Sequence, residues 1–254
     1  MPTPATRGDW FWLPEPRPHA TLRLFCFPHA GGDVTAFADL ARVLPGDIEL
    51  WALRMPGRGG RMRDAFAADF GELVDSAAEA ARPYLDRPYA VLGQSIGGLV
   101  GYEVARELSS EAPPTACVII GFSPPHRWRE PPSMSGADTD ELLQFLLGND
   151  ERAAAVLGNP ELRAMVHRVL RADLDLVQSY RHHDEPILRC PVHGVLGEHD
   201  EAVTPDEMTG WGELSGGPFS LDVLPAAHLV LQSGSEAVAR VARIVAALPV
   251  HQLR

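Results

Sequence analysis

The chain has 254 residues, of which 45% are hydrophobic and 22% charged, and its formal net charge at pH 7 is −12. This length and composition are ordinary for one α/β domain, so we expect a single domain over residues 1–254. All 22 basic residues are arginines, which excludes mechanisms that need a lysine, such as Schiff-base or Ser-Lys catalysis. The acidic balance argues against nucleic-acid binding, because that binding depends on basic side chains that neutralise phosphates.

The chain lacks the usual sequence signals of membrane insertion and export. No run of about 18 apolar residues occurs, and the N-terminus has no basic start followed by an apolar stretch. We therefore expect a soluble, cytoplasmic protein that does not bind membranes. Cys26, Cys117 and Cys190 lie far apart and form no CxxC pair, so buried free thiols are expected rather than disulfides or metal ligands.

Short apolar runs bounded by Gly, Pro or charged residues predict six buried strands. They are residues 21–27, 48–53, 89–93, 116–121, 192–197 and 219–224. Segments of helical period lie between or after these strands, at residues 35–44, 69–86, 96–109, 204–214 and 235–248. The alternation predicts an α/β fold in which a mostly parallel central sheet carries helices on both faces.

One long interval, from Ser123 to Arg189, contains helical patterns but no convincing strand. It opens with the Pro-rich stretch "SPPHRWREPPSMSG", which cannot continue a helix, and later contains the helical pattern "PELRAMVHRVLRADLDLVQSY". An insertion at the carboxyl edge of a parallel sheet lies over the place where ligands of such sheets bind. We interpret residues 124–185 as a helical lid, with a segment that only thickens the core as the alternative.

The stretch "GQSIGG" places Ser95 between Gly93 and Gly97, directly after a predicted strand and before a predicted helix. Strand, sharp turn and helix are the context of a nucleophile elbow, whose strained turn needs glycines on both sides. The N-terminus of the helix would also face developing negative charge. Ser95 is therefore the candidate nucleophile.

A serine hydroxyl needs a base to accept its proton and a third group to orient that base. Asp200 follows the strand 192–197 in "GEHDEAVTP", and His228 follows the strand 219–224 in "PAAHLVLQSGSE". Both loops would open on the same edge of the sheet as Ser95, and the order Ser, Asp, His suits an α/β-hydrolase. We predict that Asp200 is the orienting acid and His228 the general base.

Four other histidines are alternatives to His228 as the general base. They are His182, His183, His193 and His199. The first three end the insertion or lie within a strand, so surface or core roles are expected for them. His199 adjoins Asp200, but adjacent residues seldom share one metal ion and no HxxxH or HExxH spacing occurs. We predict neither a metal site nor a cofactor.

An oxyanion hole needs a second backbone N–H besides that of the residue after the nucleophile, here Ile96. The stretch "FCFPHAGGDVTAF" follows the first predicted strand, and Gly31 and Gly32 would let its backbone approach a substrate closely. Ala30 is the expected second donor. A plain strand-to-helix turn is the alternative, whereas the GxxxxGK[ST] pattern of a phosphate loop is absent.

Taken together, the motifs resemble those of the type II thioesterases that accompany polyketide synthases and nonribosomal peptide synthetases. The resemblance rests on "FCFPHAGG", "LRMPGRGGR", the GxSxGG motif, "CPVHGVLGEHDEAVTP" and "AHLVL", and it covers nearly the whole chain. It implies an α/β-hydrolase fold with a lid, and hydrolysis of acyl thioesters from the phosphopantetheine arm of acyl or peptidyl carrier proteins as an editing step. By motif position, Ser95, Asp200 and His228 form the catalytic triad, and Ala30 and Ile96 donate to the oxyanion.

Two positions depart from the family's pattern. Family members commonly have His where this chain has Gln94, and Gly where it has Ala227. Because His228 supplies the base, we expect Gln94 to alter elbow packing or lid contacts and a Gln94→His variant to change substrate preference. Ala227 is expected to restrict the His loop slightly, which affects the rate rather than the mechanism.

Carrier proteins tend to be acidic, so a chain with a net charge of −12 needs a local positive face to bind one. Two arginine-rich stretches, "RMPGRGGRMR" and "HRWRE", supply the candidate docking residues Arg54, Arg58, Arg61, Arg63, Arg127 and Arg129. Solvated loop charges are an equally simple interpretation of these residues.

Two other functions stay open at this point. One is a generic carboxylesterase or peptidase of the same fold, which a comparison of oxygen esters with acyl-pantetheine thioesters would distinguish. The other is a catalytically silent module that binds carrier proteins. Such a module is expected to lack a member of the triad, and the sequence lacks none.

Overall fold

The computed structural model describes residues 5–128, 158–184 and 187–249, and these residues build one eight-stranded sheet. The strands in chain order are β1 Ala5–Arg7, β2 Phe11–Leu13, β3 Leu22–Phe27, β4 Ile48–Leu53, β5 Tyr89–Gln94, β6 Cys117–Ile120, β7 Val192–Gly197 and β8 Phe219–Leu224. Their spatial order is β1-β2-β4-β3-β5-β6-β7-β8. The strands from β3 onward pair in parallel, whereas β1 and β2 pair antiparallel at one edge. The predicted α/β class and mostly parallel sheet are confirmed.

Helices cover both faces of the sheet, as the alternating pattern predicts. The α-helices are α1 Ala38–Val43, α2 Phe70–Ala81, α3 Ile96–Leu108, α4 Pro160–Ser179, α5 Pro205–Thr209 and α6 Ser235–Ala246. Helices α2, α3 and α4 contribute to one hydrophobic cluster, and α1 and α6 contribute to a second cluster. The side chains of β3 alternate between them: Phe25 and Phe27 belong to the first cluster, Leu24 and Cys26 to the second.

Three of the predicted helices divide into an α-helix and a short 3-10 turn. These turns are Val34–Phe37 before α1, Arg82–Tyr84 after α2 and Gly210–Leu214 after α5. In the second case the cause is Pro83, which has no N–H to continue the α-helical ladder. These helical segments were thus predicted at the right places, but one end of each is a 3-10 turn rather than part of the α-helix.

The N-terminal strands β1 and β2 were not predicted, because three residues are too short to show a period and Pro14 follows the second strand. Tertiary contacts hold β2 in place. The Phe11 ring lies 5.2 Å from that of Phe25 and 5.8 Å from that of Trp51, measured between centroids. Aromatic burial against β3 and β4 therefore builds the antiparallel edge.

Within the interval interpreted as a lid, the structure describes residues 124–128 and 158–184. Helix α4 occupies most of the second part, with the Asn159 side chain accepting hydrogen bonds from two N–H groups of its first turn. Cys26, Cys117 and Cys190 are buried and free, as expected. None of the described helices is long and apolar enough to cross a membrane.

Candidate active site

Ser95 connects β5 to α3 in a strained turn. Its φ is 55° and its ψ is −131°, and within the described part of the chain it is the only residue other than glycine with a positive φ. A Cβ on Gly93 would overlap the carbonyl oxygen of Gly97, and a Cβ on Gly97 would overlap that of Phe27. Both glycines of the GxSxG motif are therefore required by the close packing of β3, the turn and α3.

The structure brings Ser95, His228 and Asp200 together in one hydrogen-bonded relay. The Nε2 atom of His228 lies 3.0 Å from the Ser95 Oγ, and its Nδ1 atom lies 2.9 Å from the Asp200 Oδ2. Since a carboxylate can only accept, we assign the ring proton to Nδ1, which leaves Nε2 to accept the serine proton. The arrangement is thus suited to activating the Ser95 hydroxyl as a nucleophile.

Asp200 is fixed from both sides. Its side chain is fully buried, and its Oδ1 atom accepts hydrogen bonds from the N–H groups of Ala202, at 2.8 Å, and Val203, at 3.1 Å. Gly121, whose φ is 61°, passes so closely that a Cβ there would lie 3.2 Å from the Asp200 Oδ2. This oxygen is therefore held facing the imidazole of His228.

The loop after β3 lies against the serine turn. The approach of Gly97 to the carbonyl oxygens of Phe27 and Pro28 places this loop beside the N-terminus of α3. Ile96 is the first residue of α3, so its N–H has no partner within the helix. Ala30 is buried in the adjoining loop. The assignment of the Ala30 and Ile96 N–H groups to an oxyanion hole stays a prediction.

His29, in the same loop, is buried and electrically neutral near pH 7. Burial, together with the nearby His228 and Arg58, lowers the pKa of His29 from 6.5 to about 4. Its Nδ1 atom lies 3.4 Å from the Gln94 Nε2, an orientation in which the amide donates and the neutral ring accepts. His29, which precedes the predicted oxyanion donor Ala30, thus contacts Gln94, which precedes Ser95.

Gln94 also connects the serine turn to the segment after His228. Its Oε1 atom accepts a hydrogen bond from the Leu231 N–H at 2.9 Å, and its Nε2 group donates to the Gln232 Oε1 at 2.7 Å. The side chain is only 1% exposed. Among the described residues, Gln94 therefore contacts the His loop and the loop after β3, which agrees with the expected effect on elbow packing; none of these contacts involves the described lid residues.

Asp173, a buried carboxylate on α4, was not predicted from the sequence as a site residue. Its Oδ2 atom accepts hydrogen bonds from the Gly31 N–H and from the Arg58 guanidinium, each at 2.7 Å. A signal was readable in the sequence: Asp173 shares the helical spacing of Leu170, Leu174 and Val177, which places it on the apolar face of α4.

The structure gives no support to the prediction that Arg58 docks a carrier protein. Its side chain is 5% exposed and is paired with Asp173, so it offers no charge to a partner at the surface. Arg54 is partly buried and donates to the Asp9 carbonyl at 3.2 Å, and Arg127 is partly exposed and paired with Glu213.

The other docking candidates differ in how far they are exposed, and the Arg61 side chain is largely buried and stacks on the Trp10 ring. Arg61 pairs with Asp64 at 2.7 Å, Arg63 is exposed, and Arg129 lies outside the described residues. Docking through these side chains stays a prediction.

The remaining histidines lie apart from the relay. His182 lies 3.2 Å from the Tyr180 hydroxyl, and the His193 Nδ1 lies 2.7 Å from the Ser220 Oγ on the neighbouring strand. His183 and His199 are exposed. Across residues 5–128, 158–184 and 187–249, no group of three or more His, Cys, Asp or Glu side chains is arranged to hold a metal ion.

The sheet order, the strained serine turn and the relay together define an α/β-hydrolase. Comparison with known proteins then identifies the family. The thioesterase domain family matches residues 22–247, and the chain belongs to this family.

Individual relatives agree with this assignment. The solved structure of the type II thioesterase BorB, from the borrelidin biosynthetic cluster, is 30% identical and superposes with a TM-score of 0.84 over 95% of this chain and 98% of BorB. The gramicidin S biosynthesis protein GrsT of Aneurinibacillus migulanus is 28% identical over 88% of each chain. The AMB antimetabolite synthetase AmbE of Pseudomonas aeruginosa is 32% identical over 96% of this chain, which spans only 12% of the length of AmbE. The resemblance to type II thioesterases is confirmed.

Proposed function

We propose that this protein hydrolyses acyl thioesters on the phosphopantetheine arm of an acyl or peptidyl carrier protein, as an editing step of polyketide or nonribosomal peptide biosynthesis. The relay of Ser95, His228 and Asp200, in a chain of the thioesterase domain family, is the observation that carries the proposal. The names of BorB and GrsT, which refer to biosynthetic pathways of this kind, support it.

The mechanism follows from the geometry of the relay. The Ser95 Oγ attacks the thioester carbonyl while the His228 Nε2 takes the hydroxyl proton, and the N–H groups of Ala30 and Ile96 bind the oxyanion. The C–S bond then breaks, and His228 returns the proton to the departing thiol. Water attacks the acyl-serine with His228 again as base, releasing a carboxylic acid and regenerating Ser95. Asp200 orients the imidazole throughout and stabilises its charged form.

The two alternative functions are less well supported. A generic esterase or peptidase would share the relay, but the family match is to thioesterases. A silent binding module would have no use for a complete and buried relay. Neither alternative explains the family match and the site together.

One substrate comparison tests the proposal against both alternatives. We would measure kcat/KM for an acyl-carrier protein, the corresponding acyl-pantetheine and an oxygen ester of the same acyl group. The proposal predicts the highest value for the acyl-carrier protein and loss of all three activities in Ser95→Ala. A preference for the oxygen ester would favour a carboxylesterase, and binding of the carrier without turnover would favour a silent module.

Three further features are part of the proposal. We propose that residues 1–254 form one domain, that residues 124–185 act as its lid, and that the protein works in the cytoplasm. The packing of α4 beside the loop after β3 supports a place for the insertion above the site. Limited proteolysis would test the first point, because a single domain should not be cut into two fragments that are each stable on their own.

A further inference from the structure

A buried carboxylate outside the relay is bonded to the loop that carries the predicted oxyanion donor. Asp173 lies on α4, and its side chain is fully buried. Its Oδ2 atom accepts from the Gly31 N–H at 2.7 Å and from the Arg58 Nη1 at 2.7 Å, while its Oδ1 atom accepts from the Arg58 Nη2. Arg58 also donates to the Gly32 carbonyl at 3.2 Å. The carboxylate and the guanidinium thus hold both glycines of the loop.

The packing of α4 against the same loop is equally close. Gly31 has a φ of 73°, and a Cβ there would lie 2.7 Å from the Leu170 Cδ2, one helical turn before Asp173. The backbone therefore reaches the carboxylate only because position 31 is a glycine in the left-handed region. The loop conformation and the position of α4 depend on each other.

Stability alone does not explain a buried ion pair, because apolar side chains of similar volume often stabilise a fold as well or better. Its hydrogen bonds are directional, however, and here they end on backbone atoms beside Ala30. The Gly31 N–H belongs to the peptide group that joins Ala30 to Gly31. Fixing this peptide plane restricts the rotation of Ala30, whose own N–H is the predicted donor to the oxyanion.

We propose that Asp173 is a positioning residue for the oxyanion hole, which it orients through the Gly31 N–H with Arg58 as its counter-ion. The proposal rests on the proposed function, because it presumes a reaction with an oxyanion. In this proposal the position of α4 determines the conformation of the loop after β3. Asp173 acts through the backbone and does not contact the reacting atoms.

The first test is Asp173→Asn, which keeps the shape but removes the charge. We expect kcat for an acyl-pantetheine thioester to fall about 10- to 100-fold with KM within about threefold, because a small displacement of a transition-state donor leaves substrate binding intact. Affinity for a trifluoromethyl ketone analogue, which forms an oxyanion on the serine, should fall by a similar factor. Affinity for a non-hydrolysable acyl-pantetheine amide should stay unchanged.

Glu103→Gln is the matched control. Glu103, on α3, pairs with Arg106 at 2.9 Å and accepts from the Tyr180 hydroxyl at 2.6 Å just beyond the end of α4, so its replacement disturbs another largely buried ion pair. We expect it to reduce thermal stability without changing kcat. Equal losses of kcat in both variants would contradict the proposal, because they would indicate a general effect of destabilisation.

A double variant separates positioning from stability. Arg58→Met with Asp173→Leu removes both charges, so the fold should recover most of the stability that Asp173→Asn loses. The proposal predicts that kcat stays low in this stable variant. Recovery of wild-type kcat would overturn it. Failure of wild-type protein to hydrolyse any thioester, or full activity of Ser95→Ala, would instead refute the proposed function.

Discussion

At the scale of single residues, the serine turn is the most constrained point of the chain. Ser95 has a φ of 55°, a conformation that costs a residue with a side chain on the order of 1–3 kcal/mol. The surrounding packing must supply that free energy. Gly97 contributes to this packing because only a residue without a Cβ fits against the carbonyl oxygens of Phe27 and Pro28.

Gly97→Ala tests this packing. The added methyl group overlaps the Phe27 carbonyl, so the turn has to shift, and we expect a loss of about 1–3 kcal/mol in the free energy of unfolding. The same shift should lower kcat about tenfold or more. Gly46→Ala is the control: a Cβ there meets nothing within 4 Å, so stability should change by less than about 0.5 kcal/mol. Equal behaviour of the two variants in urea unfolding would contradict this account.

Gln94 provides a second prediction at this scale. Gln94→Leu removes the acceptor of the buried Leu231 N–H and the donor to the Gln232 Oε1, so we expect a loss of about 1–3 kcal/mol and a lower kcat through the neighbouring His228. Gln94→His keeps one donor and one acceptor, so its stability and its kcat should both fall less than those of Gln94→Leu. Urea unfolding and steady-state kinetics check the ranking. A Leu variant as stable and active as wild type would show that the network is dispensable.

At the scale of elements, the loop after β3 connects parts of the site that are distant in sequence. Its His29 has a pKa lowered to about 4, chiefly by burial, against 6.5 for an exposed histidine. Between these values the unfolded chain binds a proton that the folded chain does not. Stability from this group is therefore complete above pH 6.5 and is lost as the pH falls toward 4.

The expected size of this effect is about 2 kcal/mol between pH 7 and pH 5. A His29→Gln variant keeps a buried polar group but cannot titrate, so its stability should fall less over the same range. Parallel urea titrations of the two proteins at several pH values measure the difference. Equal slopes against pH would contradict a neutral, buried His29.

The elements also show what a sequence can and cannot predict. Six strands of the sheet were predictable because each is a short, mostly apolar run bounded by Gly, Pro or charged residues, and the proximity of Ser95, Asp200 and His228 followed from their places at the ends of parallel strands. The strands β1 and β2 were not, since aromatic contacts rather than local period hold Phe11 in the sheet. The bond from Gly31 to Asp173 joins residues 142 positions apart and depends on tertiary packing.

At the scale of the whole molecule, the net charge of −12 makes recognition of an acidic carrier depend on local positive charge. Arg58 is buried and paired with Asp173, so it offers little charge at the surface. Arg127 is partly exposed, and Glu213 already offsets part of its charge. The predicted docking face is therefore smaller than the two arginine-rich stretches suggested.

Charge reversal tests the docking prediction. Arg127→Glu places like charges beside Glu213 and should raise KM for an acyl-carrier protein several-fold, most clearly at low salt, because rim charges act on association. KM for the acyl-pantetheine should not change. Arg240→Glu, at an exposed position of helix α6, changes the net charge by the same amount and serves as the control. If Arg127→Glu leaves both KM values unchanged, Arg127 has no part in docking.

Cleavage of acyl thioesters through an acyl-enzyme on Ser95 can be measured by rapid-quench mass spectrometry of the intact protein and of its peptides. Wild-type protein mixed with an acyl-carrier protein should gain the mass of one acyl group on the peptide that contains Ser95. Ser95→Ala should gain none and lose at least about 10⁴-fold in kcat, whereas Ser109→Ala, at the C-cap of α3, should behave as wild type. Turnover by Ser95→Ala, or an adduct on another residue, would contradict the account.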